Sequence, residues 1–141
     1  MLMMGNNPLE MAQVFDLIKK IPDIHTFTEI AFDLKSGLNL LAQFCPTFIL
    51  IDDNLGRKEL GRAVATFARA KQSKNTPITI LKSSNYQEAF GGTVMNYVLK
   101  ESLSAEALYQ AMKNSLIASR TQIQLMRMYQ KRKGQLKRLL S

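Results

Sequence analysis

Phe48-Ile49-Leu50-Ile51-Asp52-Asp53 is the stretch that decides the fold. Four apolar residues in a row leave no polar face, so the run suits a strand covered on both sides, as in the middle of a parallel sheet. Two carboxylates follow at once. Working outward, Leu2-Met3-Met4 is a second short apolar run, broken by the turn formers Gly5-Asn6-Asn7-Pro8. His25 to Phe32 is β-rich, and Pro77 to Leu81 and Asn96 to Leu99 complete five predicted strands. Between them lie helical spacings. Asn7 caps a helix with Pro8 in its first turn and Met11, Val14, Phe15, Leu17, Ile18 and Ile21 on one face, stopped by Pro22-Asp23. Ser36 to Phe44 is predicted helical with Ser36 as cap, and Glu59 to Lys74 is helical through Leu60, Val64, Phe67 and Ala68. Ser104 caps a last helix that buries Ala107, Leu108, Met112, Leu116 and Ile117.

Strands alternating with helices at this spacing predict an α/β three-layer sandwich with a five-stranded parallel sheet and right-handed crossovers. In such sheets chemistry collects beyond the carboxyl ends of the strands. That rule gathers Gly5-Asn6-Asn7, Asp52-Asp53, Lys82-Ser83 and Lys100 on one edge.

Length and charge narrow the reading. A chain of 141 residues fits one domain. No apolar run reaches the roughly 18 residues of a membrane span, and the opening methionines lack the basic flank of a signal peptide, so a cytoplasmic location is expected. Cys45 is the only cysteine, which excludes an internal disulfide; between Phe44 and Pro46 it is expected to be a buried, inert thiol. The net charge of +8 is not spread evenly. Arg120, Arg127, Lys131, Arg132, Lys133, Lys137 and Arg138 lie in residues 120–141 with no acid among them; 19 − 7 basic and 11 acidic groups leave +1 for the rest. His25 has no second metal-type ligand near it and is expected to be structural or exposed. No nucleophile, zinc or P-loop signature is present.

The residues at the strand ends carry a resemblance. Pro46 to Asp52 resembles the third strand of response-regulator receiver (CheY-like) domains, which ends in the phosphoacceptor aspartate. Pro77 to Leu81 resembles the fourth, and Tyr97-Val98-Leu99-Lys100 the fifth, with its phosphate-contacting lysine and the aromatic three residues earlier. Leu2 to Pro8 resembles the first strand and its loop. The likeness spans residues 1–118 and implies a flavodoxin-like strand order 2-1-3-4-5. It makes Asp52 equivalent to the phosphoacceptor, Lys100 to the phosphate lysine and Tyr97 to the switch aromatic.

The departures are as informative. Gly5 and Asn6 stand where receivers carry the acidic pair that holds magnesium, a hard cation that wants oxygen ligands. Without the metal to neutralise developing charge, Asp52 is expected to be a very poor phosphoacceptor, and no cofactor is expected. Lys82 stands where receivers place a Thr or Ser, with Ser83 next door. Lys82 and Lys100 are therefore expected to clamp Asp52 in a permanent ion pair, and the opposite charges to lower its pKa. The segment from Lys82 to Lys100 is short by about one helical turn and contains Gly91-Gly92, so the crossover helix there is expected to be shortened or lost. Each residue also has a plain reading: Asp52 and Asp53 as polar strand ends, Lys82 and Lys100 as solvated lysines, Tyr97 as packing.

Residues 119–141 read as a basic helical extension. Leu125, Arg132 and Leu139 are seven apart, as are Tyr129 and Leu136, but Arg132 and Gly134 interrupt a regular coiled coil. The readings are a linker or homodimerisation arm leading to an output module, an amphipathic helix docking on a partner or anionic membrane, and phosphate-backbone contact with nucleic acid. The leading functional expectation is a non-enzymatic pseudo-receiver that signals through protein partners or dimerisation. The alternatives are a working phosphoacceptor at Asp52, with Asp53 or Asn6 helping to hold magnesium, and nucleic-acid binding through the tail.

Overall fold

The computed structural model describes residues 1–22, 27–84 and 94–140. Strands β1 (Leu2–Met4), β2 (Glu29–Ala31), β3 (Ile49–Asp52), β4 (Ile78–Lys82) and β5 (Val94–Leu99) form one sheet in the order β2-β1-β3-β4-β5. Every pairing is parallel, from Leu2 beside both Glu29 and Ile49 to Ile49 beside Ile78. The pairing of β4 with β5 shifts register between Ile78 and Thr79. Helices α1 (Pro8–Lys19), α2 (Leu34–Leu41), α3 (Arg57–Arg69) and α4 (Ala105–Leu140) supply the two outer layers. The flavodoxin-like α/β fold expected from the sequence is the one observed. The short crossover between β4 and β5 falls on residues 85–93, and His25 on 23–26; both lie outside the described residues.

The alternation of side chains along each strand divides the core into two. Met3, Leu50, Leu81 and Val98 face α1 and α4, where Met11, Val14, Ile18, Leu108 and Met112 cover them. Leu2, Met4, Ile49, Ile51, Ile78 and Ile80 face the other layer, against Leu41, Leu60, Val64 and Phe67. Both faces of β3 are thus buried, as its unbroken apolar run required. One polar pair crosses the first layer: Thr79 on β4 lies 3.1 Å, hydroxyl to hydroxyl, from Ser115 on α4.

Caps set the helix limits. The Asn7 side chain accepts from the backbone N–H of Leu9 and of Glu10, with Pro8 in the first turn. Helix α2 starts earlier than Ser36, because the Asp33 carboxylate accepts from the Ser36 N–H at 2.7 Å and is the true cap. That bond holds the Asp33 carboxyl below its ordinary value. Helix α3 opens after Gly56, whose φ of 90° an L side chain rarely adopts, and stops at Arg69, short of Lys74. Beyond it the chain turns back, with Ser73 Oγ donating to the Phe67 carbonyl at 2.7 Å. Cys45 is exposed, contrary to expectation. Phe44 takes the inward position beside it, meeting Phe27 edge to face at 6.3 Å.

Helix α4 runs unbroken for 36 residues, its start held by Ser104 Oγ accepting from the Ala107 N–H. Its first part is pinned to the sheet by Leu108, Ala111, Met112 and Ser115, and Ser119 Oγ donates to the Asn75 carbonyl. Beyond Ser119 the large apolar side chains from Leu125 to Leu140 are mostly exposed. Among the described residues no helix is long and apolar enough to cross a membrane.

Candidate functional site

Asp52 ends β3 on the same face as Leu50, so its carboxylate points toward α1 and α4 and is 1% exposed. Lys100 follows β5 two residues after Val98 and therefore reaches the same side. Its ammonium lies 2.6 Å from Asp52 Oδ1, 3.2 Å from Glu10 Oε2 and 3.7 Å from Asp53 Oδ1. One cation thus sits among three carboxylates. Asp52 Oδ1 also accepts from the Asn54 N–H, while Oδ2 is buried with no hydrogen-bond partner among the described residues.

Asn54 ties the loops together. Its side-chain amide donates to Glu10 Oε2 at 3.0 Å and accepts from the Asn6 N–H at 3.2 Å. Asn6 Nδ2 donates to the Asn54 carbonyl at 2.7 Å. Asp53 turns its other oxygen to Ser83, accepting from both the backbone N–H and the hydroxyl. A cavity of about 140 Å³, lined by residues that include Glu10, Gln13, Asp52 and Lys100, opens beside the ammonium.

Two expectations are corrected. Lys82 leaves the sheet on the face opposite Asp52. It is two residues after Ile80 and so faces the α2–α3 side of the sheet, where its ammonium stands 4.3 Å over the Tyr97 ring. The pleat, which places Asp52 and Lys82 on opposite faces, separates two residues that a list of strand ends places together. The Asp52 pKa is also raised, not lowered. Burial disfavours the charge and the Glu10 charge adds to this, outweighing the Lys100 and Asn54 contacts that pull the other way. For Lys100, burial lowers the pKa, but bonding to Asp52 and Glu10 prevails and raises it.

Glu10 and Asn54 were missed by sequence reading. The signal for Glu10 was present: it sits three residues after a capping Asn, so it lies in the first turn of a helix that begins at the functional edge of the sheet.

The donor set does not fit the magnesium of receiver domains. Gly5 has no side chain, and a Cβ there would stand 2.5 Å from Met11 Sδ and 3.0 Å from Asp52 Cβ, so the space is filled. Asn6 directs its amide N–H groups to Asn54, and Lys100 holds Asp52 Oδ1. Among the described residues, no three or more His, Cys, Asp or Glu are grouped to hold a metal ion.

The fold is that of solved response-regulator receiver domains. The chemotaxis response regulator CheY4 of Vibrio cholerae matches with a TM-score of 0.66 at 19% identity, over 81% of this chain and 95% of that one. The N-terminal domain of a response regulator/sensory box/GGDEF protein from Carboxydothermus hydrogenoformans matches with a TM-score of 0.69 at 15% identity, over 86% and 97%. A trimeric coiled-coil segment of yeast Spc42 fused to another structure matches over 99% of this chain and 98% of that one, with a TM-score of 0.65 at 14% identity. No protein-family model matches the chain, and no curated protein matches it in sequence.

Proposed function

We propose that this protein is a pseudo-receiver: a cytoplasmic, non-enzymatic signalling module that acts through protein contacts without being phosphorylated. Residues 1–118 form the receiver-like unit, and residues 119–141 the extension that carries its contacts outward. The observation that supports this reading is the Lys100 ammonium lodged among Asp52, Glu10 and Asp53. A fixed cation then stands at the strand edge where receivers use a divalent ion and two acids. Phosphoryl transfer depends on metal charge to stabilise its transition state, and these residues offer no equivalent.

The test is incubation with acetyl phosphate and magnesium, read by intact mass, with a parallel magnesium titration by NMR. No phosphoryl adduct and no saturable shift near Asp52 are expected. Stoichiometric aspartyl phosphate at Asp52 would overturn the proposal. The second reading, a working phosphoacceptor, draws support from Asp52 Oδ2, which is buried without a hydrogen-bond partner among the described residues. The same experiment decides between the two.

A further inference from the structure

The part of α4 beyond Ser119 is an exposed helix with two unlike sides. At 3.6 residues per turn, Arg120, Arg127, Lys131 and Arg138 fall within about 40° of one another. On the opposite side Leu125, Tyr129, Arg132, Leu136 and Leu139 follow one another at alternating steps of four and three, the spacing of a coiled-coil seam. Leu125, Tyr129, Leu136 and Leu139 are 57% or more exposed. The apolar side of this projecting helix is the part that a second helix would cover.

The charges say which helix. Arg132 is the middle residue of the seam. A parallel pair of copies would set Arg132 against itself, and so would an antiparallel pair centred on the seam. Lys133 flanks the seam, and residues 120–141 hold no acid to answer either cation. A like charge at a seam position costs stability and selects against that pairing. We infer that this seam docks on a helix of a different protein, one that is apolar along its own seam and presents a carboxylate to Arg132 and further acids beside it. The inference deepens the pseudo-receiver reading by giving its contact surface a partner chemistry.

The experiment uses the full chain. Sedimentation equilibrium at tens of micromolar is expected to show a monomer, and Arg132→Leu a dimer, because that substitution completes the apolar seam. The probe is a synthetic heptad-repeat peptide with leucine along its seam, glutamate facing Arg132 and glutamates in the flanking positions. It is expected to bind wild type in a salt-sensitive manner, and Arg132→Glu on the order of tenfold or more weaker. A control peptide with lysine in place of glutamate is expected not to bind. Circular dichroism checks that each variant keeps its helix content; Arg132 is exposed, so folding is not at stake. Wild type that dimerises as tightly as Arg132→Leu would overturn the inference, returning the seam to a second copy. So would equal binding of the two peptides, no binding of either, or tighter binding to phosphatidylglycerol vesicles or duplex DNA. None of these results depends on whether Asp52 accepts phosphate, so the two proposals fail separately.

Discussion

Replacing Lys100 by Met keeps most of the side-chain volume and removes an ammonium that contacts all three carboxylates. The Lys100 side chain is 23% exposed and that of Asp52 1%, so water can reach the vacated position only in part. Breaking a buried ion pair by removing one partner costs about 3–5 kcal/mol. Partial exposure on the lysine side puts the expected loss near the lower end, about 3 kcal/mol. With a urea slope of about 2 kcal/mol per molar, the unfolding midpoint falls by about 1.5 M. The loss depends on pH, with a definite sign. The folded Asp52 pKa already lies above its ordinary 3.8, and losing the ammonium raises it further. Ionised Asp52 therefore costs stability at pH above its folded pKa, and the cost fades as pH falls through that value toward 3.8. The deficit of Lys100→Met should be larger near about pH 7.5 than near about pH 4, close to the ordinary carboxyl value, where the penalty on ionised Asp52 has faded. In the Asp52→Asn background it should largely disappear. The assay is urea denaturation followed by circular dichroism at both pH values. A loss below about 1 kcal/mol, the usual scale of an exposed ion pair, would refute the reasoning. The same holds for a loss that is equal at both pH values or unchanged by Asp52→Asn.

Gly5→Ala is expected to lose about 1–3 kcal/mol by overpacking, since the new Cβ would meet Met11 Sδ at 2.5 Å and Asp52 Cβ at 3.0 Å. Met11→Ala itself removes a buried side chain, so the check is a double-mutant cycle: Gly5→Ala should cost less in the Met11→Ala background than in wild type. Ser115→Ala leaves the buried Thr79 hydroxyl without its partner and is expected to cost about 1–3 kcal/mol, whereas Thr79→Val with Ser115→Ala should fall close to wild type. A double-mutant cycle in urea measures that coupling; simple additivity of the two changes would contradict it.

The sequence made the fold legible because its strands are short, apolar and punctuated. The run before Asp52 had to be covered on both faces, and Gly5 to Pro8 marked both the end of β1 and the start of α1. Asp52 and Lys100, far apart in sequence, meet at one edge, ammonium to carboxylate at 2.6 Å. What a strand-end list lacks is the pleat: Lys82 belongs to the same edge and faces the opposite layer. It also lacks the helices' contribution, so Glu10 went unseen although its first-turn position brings it beside Lys100. The direction of the Asp52 shift was misread for a third reason. Pairing with a lysine is visible in a sequence, while the removal of water by surrounding Met, Val and Leu side chains becomes visible only in three dimensions. The Asp33 cap and the exposed Cys45 are local matters of one or two residues, the scale at which element boundaries are least determined by periodicity.

Helix α4 has one end bolted into the sheet layer and the other in open solvent, with no break between. From Ser119 to Leu140 it extends about 31 Å at about 1.5 Å per residue. Small movements at the bolted end are consequently magnified: a tilt of about 10° there sweeps the far end through about 5 Å by simple leverage. Whatever shifts the packing around Thr79, Ser115 and Ser119 is thereby broadcast to a distance several times larger than the shift itself.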